Sequence, residues 1–168
     1  MNKIHIGFSR PKKFKIGSAA ISWWTGCPYS HTYLRFEYAD SRDAVFHAAH
    51  GSVHFLSVRN FQRDNKSVKE YEIEISDELH NQLFNVCMDL AGEKYSVMEL
   101  VNIFISDVTW MVFKKEVKVY NNRGYICSEL MGKLCQDQLK LSFNKPLFLL
   151  KPSDIDDALS QKFPVIEY

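Results

Sequence analysis

"RGYICSEL", residues 123–130, sets a glycine and an aromatic residue ahead of a cysteine, after which Ser-Glu-Leu opens an apolar series. The series predicts a helix from Cys127 to about Leu139, with Cys127 in its first turn. A thiol in that position gains from the helix dipole, which favours the thiolate, and its own peptide N–H can meet a developing oxyanion. The position equally suits a small core residue, because free cysteine is among the most buried side chains. What the rest of the chain brings to Cys127 decides between the two.

Far upstream, "PYSHTYLRF" (28–36) supplies a candidate partner. His31 opens a strand rich in aromatic and branched residues, directly after a Pro-Tyr-Ser loop, and strand ends beside loops are where reactive side chains are presented. "AVFHAAH" (44–50) reads as the next strand, joined to the first through "YADSRD". A turn around residues 40 and 41 places His47 near residue 34. From there His47 must lean toward the open end of the sheet to orient His31 as the third member of a triad.

The other thiols test how special Cys127 is. Cys87 falls in the apolar stripe of its helix and Cys135 lies two turns beyond Cys127, so both read as core, whereas Cys27, in "TGCPYSH", is the competing nucleophile. None of the four cysteines forms a Cys-x-x-Cys pair, which argues against a zinc ribbon or a thioredoxin motif. His47, His50 and His54 raise zinc again. Strand alternation puts His50 and His54 on one face and His47 on the other, so neither metal nor cofactor is expected.

Around these residues the chain reads as one domain, 1–168. "KIHIGF" (3–8) alternates as a first strand, followed by a loop holding Arg10, Lys12, Lys13 and Lys15 that reads as solvated. "IGSAAISWWTG" (16–26) predicts a short helix stopped at Gly26, and "SVHFLSV" (52–58) a strand reached through Gly51. "RNFQRDNKS" reads as a polar loop, and "VKEYEIEI" (68–75) as a half-buried strand. Ser76 caps a helix to about Ala91, a capping box from Ser96 to Glu99 opens another over 97–113, and Pro152-Ser153 opens a last one over Asp154 to Leu159. Strands first and helices second predict an α+β fold: an antiparallel sheet from the N-terminal half packed against helices from the C-terminal half.

The formal net charge of +1 gives no electrostatic case for nucleic acid. The first ten residues lack the apolar core of a signal peptide, and the apolar stretch 97–113 carries Glu99 and Asp107. A cytoplasmic protein with reduced thiols and no membrane-spanning segment is expected.

Taken together, "WWTGCPYSHTYL", "VFHAAHGSV", "LAGEKYSVMEL", "GYICSELMGKL" and "LLKPSDIDDAL" resemble, in order, the motifs of the circularly permuted NlpC-like (YiiX-like) papain-fold family. The resemblance runs from about residue 4 to 160 and implies a permuted papain-like fold. It implies Cys127 as nucleophile, His31 as general base and His47 as the orienting residue, a position that is often Glu in the family. Tyr95 matches the family tyrosine. With Tyr29 and Ser30 ahead of His31 and Ser128 after Cys127, it makes up the candidate substrate-binding set. Glu129 is read as supporting the first helical turn.

The function implied is a cysteine hydrolase that cleaves an amide, isopeptide or ester bond, with peptides or peptidoglycan fragments as the substrate class. A lipid-directed acyltransferase or thioesterase is the alternative, with "ISWWTG" and "VTWMVF" as an acyl groove if they do not pack in the core. A binding module that keeps the fold without the chemistry is the third.

Overall fold

In β1 (Asn2–Pro11), Ile4, Ile6 and Phe8 point one way and His5 and Gly7 the other, and both faces are buried. A strand enclosed on two sides belongs at the middle of a sheet. The computed structural model, which describes residues 2–14, 16–39, 42–49, 51–95 and 125–168, places it there. Six antiparallel strands run in the order β4-β3-β2-β1-β5-β6, with β2 (His31–Phe36), β3 (Ala44–Ala49), β4 (Ser52–Ser57), β5 (Asn65–Ile75) and β6 (Val165–Glu167). The described helices are α1 (Ile16–Thr25), α2 (Val58–Asp64), α3 (Asp77–Leu90), α4 (Cys127–Leu139) and α5 (Pro152–Ser160), with a 3-10 turn at Leu147–Leu149. The α+β class and the antiparallel sheet are as expected.

The apolar core lies on the face that carries Ile4, Ile6, Phe8, Leu34, Phe36, Phe46, Ala48 and Ile73. Leu83 and Cys87 of α3, Leu130, Met131 and Leu134 of α4, and Ile155 and Leu159 of α5 close it. Each Leu, Ile, Phe or Met side chain among them contributes roughly 1.5–3 kcal/mol through burial. Ser76 caps α3 by accepting from Leu79 N–H at 3.1 Å. Lys140, with φ of 54°, ends α4 in the left-handed region.

The opposite face is covered by α2, where a polar loop was expected. Ser57 accepts from Asn60 N–H at 3.3 Å and starts the helix, and Phe61 is its buried residue, packed with Tyr33 and Val45. Gly7 leaves room on this face for the ring of Tyr33; a Cβ there would lie 2.2 Å from Tyr33 Cζ.

Three strands differ from the expectation. β1 and β5 extend past their predicted ends and pair from Asn2↔Ile75 to Pro11↔Asn65, and β6, unforeseen, pairs with β5 at the sheet edge. The predicted helix over 97–113 lies outside the described residues. Among the described residues no helix is long and apolar enough to cross a membrane.

Candidate functional site

Cys127 begins α4 behind Ile126, an N-cap residue whose side chain makes no capping hydrogen bond. The first N–H groups of a helix have no intrahelical acceptors, and here those of Cys127 and Ser128 face the Cys127 sulfur and favour its thiolate. A third donor reaches it from β2, the backbone N–H of Thr32. That N–H belongs to the peptide joining His31 to Thr32, so the thiol rests against the strand beside the candidate base. Cys127 is 4% exposed. Burial dominates and pushes its pKa up, while the three N–H groups pull it down. Cys87 and Cys135 are pushed up by burial alone, Cys135 to about 12.

His31 Nε2 lies 3.0 Å from His47 Nδ1. The hairpin register explains how. Leu34 pairs with Phe46, a register in which His47 falls opposite Tyr33 instead of residue 34. Cross-strand partners share a face, so His31, Tyr33 and His47 all look the same way and His47 needs no lean across the pleat. His47 also pairs directly with His54, their ring centroids 4.7 Å apart. The chain reverses at Gly51 (φ 89°), which places His47 and His54 on one face and corrects the alternation expected from a continuous strand. His50 lies outside the described residues. The row ends where His54 Nδ1 lies 3.2 Å from the Ser52 carbonyl oxygen. Phe61 of α2 backs both catalytic candidates, at 6.5 Å from the His31 ring and 5.3 Å from His47. Sequence reasoning missed Phe61; the Ser57 cap was the signal that could have found it.

The thiol opens onto a cleft of about 10 Å³ lined by Ile21 and Trp24 of α1, Ser30, Ile126, Ser128 and residues Leu150 to Pro152. A volume of ~10–15 Å³ holds about one water molecule. Ser128 Oγ donates to the Leu150 carbonyl at 2.5 Å and fixes one wall. Gly132, one turn on, lets Leu150 approach, since a Cβ there would come within 2.3 Å of its Cδ1. Ser30 is hydrogen-bonded to Ser18 of α1, and Lys151 Nζ sits 4.1 Å from the Trp24 ring centroid, so α1 is held over the cleft at two points.

The expected substrate-binding residues divide. Ser30 and Ser128 line the cleft, and Tyr95 is close enough to Cys127 for a thiolate there to add to burial in pushing its phenol up. Tyr29 turns away: its hydroxyl donates to buried Asp156. There it joins Phe8 and Tyr71 around Lys69 Nζ, which lies 5.5–5.8 Å from the three ring centroids and 2.5 Å from Asp156. Cys27 is not on the cleft; its Sγ donates to the Thr25 carbonyl at 3.5 Å. The Glu129 carboxylate accepts from Ile126 N–H at the helix start, while burial, the larger influence, raises its pKa.

Among the described residues, His5, Glu37 and Glu72 could hold a metal ion. Lys3 Nζ at 2.8 Å from Glu72 and Arg35 Nη1 at 3.8 Å from Glu37 already compensate those carboxylates. Among the described residues the histidine row does not gather into such a group. Neither a protein-family model nor a curated protein matches the chain.

Proposed function

We propose that the protein is a cysteine hydrolase of the permuted papain-like type, cleaving an amide, isopeptide or ester bond, with peptides or peptidoglycan fragments as the substrate class. One observation carries the reading: His31 Nε2 is held 3.0 Å from His47 Nδ1, and the next residue's N–H, that of Thr32, is among the groups that favour a thiolate at Cys127 at the start of α4. With Nε2 engaged, Nδ1 of His31 is the atom that takes the thiol proton. Burial opposes a bare thiolate, so the proton moves as the sulfur attacks the carbonyl carbon, and the peptide N–H groups at the start of α4 face the charge that develops. His31 then protonates the leaving amine or alkoxide, and the bond between carbonyl carbon and leaving group breaks. Water, giving a proton to His31, hydrolyses the thioester and regenerates the thiol. His47 acts through His31 as a positioning residue. As a neutral imidazole it steadies the imidazolium less than a carboxylate would, so a modest turnover is expected.

An acyl ester or thioester is the second substrate reading, favoured by Ile21 and Trp24 forming an apolar wall beside the sulfur.

The test is the rate of iodoacetamide labelling at each cysteine against pH, mapped by mass spectrometry, in wild type and His31→Ala. Cys127 is expected to label ahead of Cys87 and Cys135 at neutral pH, and the substitution to slow it by about 100-fold, the lower end of what a general base supplies. Labelling at Cys127 no faster than at the other three thiols would sink the proposal.

A further inference from the structure

From Met1 to Phe36 the chain has no carboxylate side chain, and the first acidic residue is Glu37. The same stretch holds Lys3, Arg10, Lys12, Lys13, Lys15 and Arg35. Lys3 and Arg35 are committed to Glu72 and Glu70. Arg10, Lys12 and Lys13 are exposed, and they lie immediately before α1. Next to them Phe14 is 83% exposed, and Trp23 on α1 is 80% exposed. The sequence of α1 holds no charged residue, and over its described positions from Ser18 on, Ala19, Ala20 and Trp23 are exposed, one face at helical spacing. The nearby acidic group, Asp64, whose carbonyl accepts from Lys12 N–H at 2.9 Å, has its carboxylate 3.4 Å from Arg63.

A large exposed aromatic on a helix that could have buried it calls for an occupant. Within "ISWWTG" Trp23 stays out of the core, while Trp24 turns inward to the cleft. An aromatic and apolar face edged by unpaired-sign charge suits a phase that is apolar inside and anionic at its rim, which is the boundary of an anionic bilayer. A second protein surface would need acidic groups around an apolar socket, and the described surface around this face offers cations.

We propose that α1 and the loop before it dock on an anionic lipid bilayer, with Trp23 and Phe14 entering the interface and Arg10, Lys12 and Lys13 meeting the headgroups. This inference stands on exposure and charge and does not need the thiol to react. If the proposed hydrolase activity also holds, docking sets the cleft under Ile21 and Trp24 at the membrane boundary and makes bilayer-borne acyl or peptide conjugates the substrates in reach.

The experiment is co-sedimentation with phosphatidylcholine vesicles, with and without phosphatidylserine, at low and high salt, together with quenching of tryptophan fluorescence by brominated lipid. Binding is expected only with phosphatidylserine, and it should weaken at high salt. Trp23→Ser should lower the partition constant by roughly tenfold and remove most of the quenching. Lys12→Ala with Lys13→Ala should lower it by roughly tenfold as well. Both sites are exposed, so circular dichroism should be unchanged in these variants. Equal binding to both vesicle types, no binding to either, or an unchanged Trp23→Ser would overturn the proposal. So would a concentration-dependent dimer that Trp23→Ser dissolves, which would assign the face to a second copy of this chain. Labelling of Cys127 measured alongside separates failure of docking from failure of the hydrolase reading.

Discussion

On the face closed by α3, α4 and α5 the sheet presents Ile4, Ile6, Leu34, Phe36 and Phe46, whereas on the face under α2 it presents His5, His31, Tyr33, Arg35, His47 and Glu70. The first layer is held by burial, which has no preferred direction and tolerates small shifts. The second is held by aimed contacts. Glu70 accepts from Tyr33 at 2.7 Å, Arg35 Nη2 at 2.5 Å and Tyr168 at 2.7 Å, and Arg35 donates onward to Asp43 at 2.7 Å. Burial alone would raise the Glu70 pKa, but Arg35 and the two phenols reverse it and hold the carboxyl below its ordinary range. The candidate base and its positioning residue sit in this second layer, where position is enforced by bond geometry, and the nucleophile enters from the first.

That contrast can be broken at either face. Arg35→Ala should have the largest effect, about 3–5 kcal/mol by urea denaturation at neutral pH, because it leaves a buried carboxylate uncompensated. Its deficit should shrink in acid. The lowered pKa of Glu70 means that its stabilisation is complete above the ordinary carboxylate value of about 4.3 and is lost as pH falls below it. A deficit that stays constant from neutral pH to acid would show that the guanidinium acts here mainly by packing.

Leu134→Ala, on the apolar face, should cost about 2–4 kcal/mol with no dependence on pH over the same range. His47→Ala empties a position that is 2% exposed and should cost about 1–3 kcal/mol; it should also slow Cys127 labelling by roughly tenfold, at the low end for a group that acts through the base, with His47→Glu restoring the labelling. Smallest is Ser57→Ala. Loss of that cap should cost about 1 kcal/mol in thermal or urea unfolding. If Phe61 does position the imidazoles, the same variant should also loosen the pH profile of labelling.

Legibility followed the same division. The helix from Cys127 to Leu139 and the Ser76 cap of α3 were readable because an apolar stripe and a cap residue agree there. The helix α2 was not readable, since Phe61 is its one buried residue and a helix polar around the rest has no period to detect. The hairpin register slipped by one. Pairing ends at Phe36↔Ala44, so the connection has an odd number of residues and centres on residue 40, where a two-residue turn had been assumed. β6 is short and exposed and announces itself only through its partner β5. For the site, the residue types at 31, 47 and 127 were visible in the sequence. The turn of Tyr29 toward Asp156 depends on a partner more than a hundred positions away, which no local pattern encodes.

The cleft over Cys127, with room for about one water molecule, has a kinetic consequence. A reagent much bulkier than iodoacetamide needs Trp24 or the Leu150 wall to move before it reaches the sulfur. For bulky thiol reagents the rate should therefore level off as their concentration rises, at the frequency with which the roof opens. The smallest reagents should keep a linear dependence. Size, and not only acidity, then decides which molecules the thiol meets.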